Sequence, residues 1–148
     1  MTIPVKRKDI RFYPDPKRVI TRFFMPGQDD RAQSIIKKIL NMNEESINLL
    51  LNQVLRKFSK RHRNITQIFE KNFENISYIL QQIDYDKDLL SHKRKLLIGS
   101  YFTMEFSIES AAFFNPSVVE DPDQSCLENG QKRIIVSFRA TGEGHISS

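Results

Sequence analysis

The chain has 148 residues, a net charge of +5, 39% apolar and 28% charged residues, and a single cysteine, Cys126. This is the balance of one folded domain and not of a disordered segment. A lone cysteine excludes an internal disulfide framework and offers no metal-ligand spacing. The apolar runs, such as Leu96-Leu97-Ile98, are too short to cross a bilayer, and the basic N-terminus is followed by no apolar stretch. A cytoplasmic location, no membrane partner and a free thiol are therefore expected.

The charge is uneven. Residues 1–23 carry seven Lys/Arg against two acids, residues 24–100 thirteen against nine, and residues 101–148 three against seven. The basic residues mostly sit among amphipathic helical positions, as in the cluster Arg56, Lys57, Lys60, Arg61 and Arg63. They read as solvated helix faces, so no nucleic-acid partner is expected.

In chain order, residues 5–24 read as extended. Pro14 and Pro16 break any helix, and Val19 to Phe24 is β-branched and aromatic. Pro26-Gly27 signals a turn, after which Asp29 or Asp30 is placed to cap a helix over Asp30 to Asn41. A second helix starts at Asn43, with Glu44 and Glu45 at its positive end, and carries a stripe of Ile47, Leu50, Leu51, Val54, Leu55 and Phe58. A third stripe, Ile65 through Phe69, Phe73, Ile76 and Leu80 to Ile83, has the same spacing. The second and third segments form either one long helix or two joined near Arg61-His62-Arg63. The stripes are packing surfaces, and their partner is open: each other, the remainder of a larger enzyme, or a sister subunit. A fourth helix is expected from Ser91 to near Gly99.

From Tyr101 to Phe114 aromatic and small residues crowd together. Asn115-Pro116 interrupts, residues 117–119 read as a short strand, 121–130 as a polar loop, and 133–139 as a strand with alternating faces. Together the strands predict a hairpin. A lone hairpin with an unpaired edge is marginal. The closing residues Thr141 to Ser148 read as the start of a further strand, and a longer parent protein is expected.

Glycoside chemistry needs paired carboxylates, one to protonate the leaving oxygen while a nucleophile or charge acts at the anomeric carbon. The candidates are Glu105, Glu109, Glu120, Asp121, Asp123 and Glu143. Glu105 and Glu109, four apart, would share a face if they lie on a helix. His62 and His92 read as structural or surface residues, whereas His145 sits in a Gly-flanked turn beside Glu143. Arg139 ends a strand and is followed by small residues, which leaves room for a ligand at its fork of donors. No phosphate loop, Ser/His/Asp set or zinc spacing occurs.

At Phe113-Phe-Asn-Pro-Ser-Val-Val and Ile135-Val-Ser-Phe-Arg-Ala-Thr-Gly-Glu-Gly-His-Ile-Ser-Ser the chain resembles glycoside hydrolase family 130. These are five-bladed β-propeller enzymes that cleave β-mannosidic bonds by phosphorolysis or hydrolysis. Residues 22–27, 61–63 and 99–112 look like a long-form subgroup with a helical N-terminal extension. The resemblance implies an α+β chain: an extended segment over 1–27, a helical extension over 28–98, and the first strands of an incomplete propeller over 99–148. It implies that Asn115 and Arg139 reach the mannosyl unit and that the turn containing Glu143 and His145 lines the same cavity. The family's catalytic acid lies in a later blade, so no catalytic residue, metal or cofactor is expected here. Inorganic phosphate would be the co-substrate of a phosphorylase. Glu120-Asp121-Pro122 is not the family's downstream Glu-Asp-Pro-Arg signature, because Asp123 stands where Arg would be. The implied partners are a β-mannoside oligosaccharide and, through the helical extension, further copies of the chain. The rival expectation is a helical interaction module without activity.

Overall fold

The computed structural model describes residues 9–143, which form an α+β arrangement. Strand β1 (Val19–Phe23) precedes helices α1 (Asp29–Leu40), α2 (Glu44–Phe58), α3 (Ile65–Ile76) and the short α4 (Tyr78–Gln82). A single 3-10 turn (Lys87–Leu89) leads into α5 (His92–Tyr101), followed by strands β2 (Thr103–Ser107), β3 (Ala112–Glu120) and β4 (Ile134–Thr141). Strand β1 pairs with β2, and β3 with β4. Two compact units result. One spans residues 21–105, and the other joins residues 9–20 with 106–143.

In the first unit the apolar stripes find each other. Ile36 and Ile39 of α1, Ile47 and Leu51 of α2, Phe69 and Phe73 of α3, and Leu97 and Ile98 of α5 are buried in one cluster. The remaining stripe positions of α2, Leu50, Val54, Leu55 and Phe58, are half-buried against it. Each helix thus covers the face that another would expose, which is what a 3.6-residue periodicity demands. The closest approach is between α3 and α5, and Gly99 permits it. A Cβ at that position would fall 1.9 Å from the Phe69 carbonyl oxygen.

The ends of the helices explain where they stop. Asn43 Oδ1 accepts the Ser46 amide (2.8 Å) at the start of α2, and Ser91 Oγ accepts the Arg94 amide (3.3 Å) at the start of α5. The expected Asp cap on α1 is corrected: Asp29 and Asp30 lie inside the first turn and Gln28 is the cap residue, without a side-chain bond. Both carboxylates still oppose the helix's positive end. Helices α2 and α3 are separate, broken by a turn at Ser59–Asn64, and the third stripe is itself divided at Ser77. Ser77 Oγ donates to the Glu74 carbonyl (2.9 Å), and this side-chain competition for backbone groups accompanies the break.

Residues 103–107 form a strand, which corrects the expectation that Glu105 and Glu109 share a helix face. The Phe24 amide donates to the Phe102 carbonyl (3.0 Å) and the Ile108 amide to that of Arg18 (2.9 Å), so β1 and β2 run antiparallel. Only Glu105 lies on β2, and Glu109 follows it. The hairpin strands are longer than the sequence pattern indicates, because pairing resumes on the far side of Asn115-Pro116.

Candidate functional site

Strands β3 and β4 carry two of the residues that the sequence singles out. Their antiparallel register pairs Phe114 with Arg139 and Ser117 with Ser137, so Asn115 and Pro116 together oppose Phe138. This is a two-against-one bulge. Pro116 has no amide to give a ladder and is tolerated at such a site. Asn115 takes φ 51°, a left-handed conformation that asparagine accepts more readily than most residues. The bulge therefore arises from the same Asn-Pro pair that interrupts the strand pattern.

The pleat divides the hairpin into two faces. On one face Phe113 stacks on Phe138 at 5.8 Å between ring centroids, and Phe12 meets Phe138 at 5.0 Å. On the other, the Arg139 guanidinium lies over the Phe114 ring, 5.8 Å from its centroid. Arg139 thus lies beside the bulge that carries Asn115, with its strand neighbours Ser137 and Thr141 on the same face. Val118, Val119, Ile134, Ile135 and Val136 further along the hairpin are exposed on both faces.

Glu143 is engaged elsewhere. Its Oε2 accepts the Ser107 amide (2.9 Å), and the neighbouring Gly142 lies so close that a Cβ there would sit 2.0 Å from the Ser107 carbonyl oxygen. His145 lies outside the described residues.

The other carboxylates are structural fasteners. Glu109, almost fully buried, forms an ion pair with Arg18 and accepts the Asp15 amide (3.2 Å). Glu120 pairs with Lys132 at 3.0 Å. Asp121 and Asp123 each accept a backbone amide two residues on, at 2.9 Å, folding the polar loop on itself. Hydrogen bonds from Ser125, with help from Arg133, hold the Asp123 carboxyl below its ordinary range.

In the helical unit, Glu105 meets a pair that the sequence pattern does not connect to it. Arg61 Nε and Nη2 donate to its two oxygens at 3.1 and 2.5 Å, and His62 Nε2 is 2.7 Å from Oε1. Burial would raise the Glu105 carboxyl, but the bonds from Arg61 and His62 outweigh it and hold the group below its ordinary value. His62 is thus a structural residue with a specific partner. The only sequence signal was that one of the two alternatives for the second and third segments puts a joint near Arg61-His62-Arg63.

Among the described residues, no cluster of three or more His, Cys, Asp or Glu side chains could hold a metal ion. No described helix is long and apolar enough to cross a membrane. No protein-family model, curated protein or solved structure matches the chain.

Proposed function

We propose that this chain is the N-terminal part of a carbohydrate-active enzyme that cleaves β-mannosidic bonds, by phosphorolysis or hydrolysis, on a propeller of which β3 and β4 are the first strands. In this reading the chain supplies part of the sugar-binding wall and not the catalytic acid. The carrying observation is the bulge: the Arg139 guanidinium lies over Phe114, one strand pair from Asn115. A guanidinium fork, a carboxamide and an aromatic face are the groups that bind sugar hydroxyls and the apolar side of a pyranose. The exposed aliphatic residues on both faces of the hairpin also favour a setting in which other strands flank it. The resemblance would add His145 to the same wall, whereas Glu143 already accepts the Ser107 amide.

In the rival reading, homo-oligomerisation through the helices, contacts would have to come from outside the stripes, for example from exposed Leu49. Stripe residues such as Ile47 and Leu51 are already consumed by the chain's own core.

The test is a titration of the chain with β-mannobiose, followed by amide NMR shifts. The expected result is a shift confined to Phe113–Ser117 and Ser137–Thr141 that Arg139→Ala abolishes, with no sugar phosphate formed when inorganic phosphate is added. Absence of any shift at about 50 mM, where even a subsite of millimolar affinity registers, refutes the sugar-wall reading. Turnover by the chain alone refutes the placing of the acid elsewhere.

A further inference from the structure

A second polar concavity lies wholly within the helical unit, between β1 and α3. It encloses about 430 Å³ and is lined by Arg22 and Phe23 from β1 and by Lys71, Asn72 and Asn75 from α3. That volume lies within the usual size of small-molecule sites, roughly 300–1,000 Å³.

The hydrogen bonding of Asn72 defines what the cleft lacks. Asn72 is only 4% exposed. Its Nδ2 donates to Thr103 Oγ1 (2.7 Å), whose own proton goes to the Gly99 carbonyl (2.8 Å). Because Thr103 is already donating, it must accept from Asn72, which fixes the amide with its nitrogen inward. The carboxamide oxygen is left facing the cleft with no donor among the described residues. That oxygen is reached from solvent, so it is an acceptor open to whatever enters the cleft.

The charge of the cleft is equally one-sided. Neither Arg22 nor Lys71 has an ion-pair partner among the described residues. The acids of α3 are directed to other basic side chains: Glu74 lies 3.3 Å from Lys87 and Glu70 lies 3.6 Å from His92. Phe23 adds an apolar ring, 40% exposed. Two cations, an open acceptor and an aromatic face suit a ligand with an anionic group, hydroxyl donors and an apolar side.

We propose that this cleft binds a phosphorylated sugar. Arg22 and Lys71 hold the phosphate, a sugar hydroxyl donates to Asn72 Oδ1, and Phe23 covers the C–H face of the ring. The site involves none of the hairpin residues, so its success or failure is independent of the sugar wall.

Titration of the chain with glucose 6-phosphate, glucose and inorganic phosphate, each followed by amide NMR, tests the assignment. Glucose 6-phosphate is expected to shift the amides of Arg22, Phe23, Lys71 and Asn72 and to bind at least about tenfold more tightly than either component alone. Lys71→Glu and Arg22→Glu, both at exposed positions, should each weaken binding by about tenfold or more, with melting temperatures confirming that the variants fold. The proposal is overturned if the phosphosugar causes no shift in this cleft. It is also overturned if inorganic phosphate binds equally well, or if both charge reversals leave the affinity unchanged.

Discussion

Arg94 is the most connected cation of the helical unit, and its removal gives the sharpest test of how that unit is held. From the first turn of α5, its Nη1 donates to the carbonyls of Ile39 (2.6 Å) and Leu40 (2.9 Å), and Nη2 to that of Met42 (2.8 Å) and to Glu44 Oε1 (2.7 Å). The Leu40 carbonyl is one that the end of α1 leaves open and the Met42 carbonyl lies in the joint, while the Ile39 carbonyl also accepts the Met42 amide (3.2 Å), so one guanidinium closes the α1–α2 joint and ties it to α5. The Arg94 side chain is only 11% exposed. A hydrogen bond to a charged group contributes about 1.5–3 kcal/mol. After Arg94→Ala, however, water can reach part of the joint and satisfy some of the freed carbonyls. The expected net loss is therefore about 2–4 kcal/mol, or roughly 5–15 °C in melting temperature for a chain of this length. Lys in place of Arg keeps the charge but not the fork, and should recover less than half of the loss. Glu44→Gln should cost far less than either, because Glu44 is exposed and salt-screened even though Arg94 holds its carboxyl below the ordinary value. Thermal and urea denaturation measure all three variants. If Arg94→Ala melts within about 2 °C of the parent, the carbonyls are satisfied without Arg94 and the argument fails.

Two further predictions concern the same unit. Glu105 has a folded-state pKa below its unfolded one, so its contribution is present above the ordinary carboxylate range and is lost as pH falls through the lowered value. Stability measured from pH 6 downward, beginning near the ordinary value of about 4.3, should fall less steeply in Glu105→Gln than in the parent. Parallel curves would show that Arg61 and His62 do not stabilise the ionised form. The variant itself should lose roughly 1–2 kcal/mol at neutral pH, as the two hydrogen bonds from Arg61 and the one with His62 are weakened. Gly99→Ala should be the most damaging single methyl in the helices. A Cβ 1.9 Å from the Phe69 oxygen and 2.8 Å from its carbonyl carbon must push α3 away from α5, at a cost of about 3 kcal/mol or more. Melting close to that of the parent would mean that the two helices separate easily.

The sequence by itself determined what depends on neighbours along the chain. The stripes on α1, α2 and α3, the Asn43 cap, a helix beginning near Ser91, and the interruption at Asn115-Pro116 were all legible, because apolar periodicity and cap chemistry act within a few residues. Local pattern was weakest around residues 101–109. There the spacing of Glu105 and Glu109 suited a helix, but pairing with β1 draws residues 103–107 into a strand. Tertiary structure alone decided which charge meets which. Arg94 reaches carbonyls more than fifty positions away, Arg61 and His62 meet Glu105, and Arg18 meets Glu109. No local rule predicts such pairs, since they depend on how whole elements pack. The same holds for the cleft, where Arg22 and Asn72 come together only because β1 lies along α3. For the hairpin, sequence placed Asn115 just before one strand and Arg139 at the end of its partner, and only the register set Arg139 against Phe114 beside the bulge.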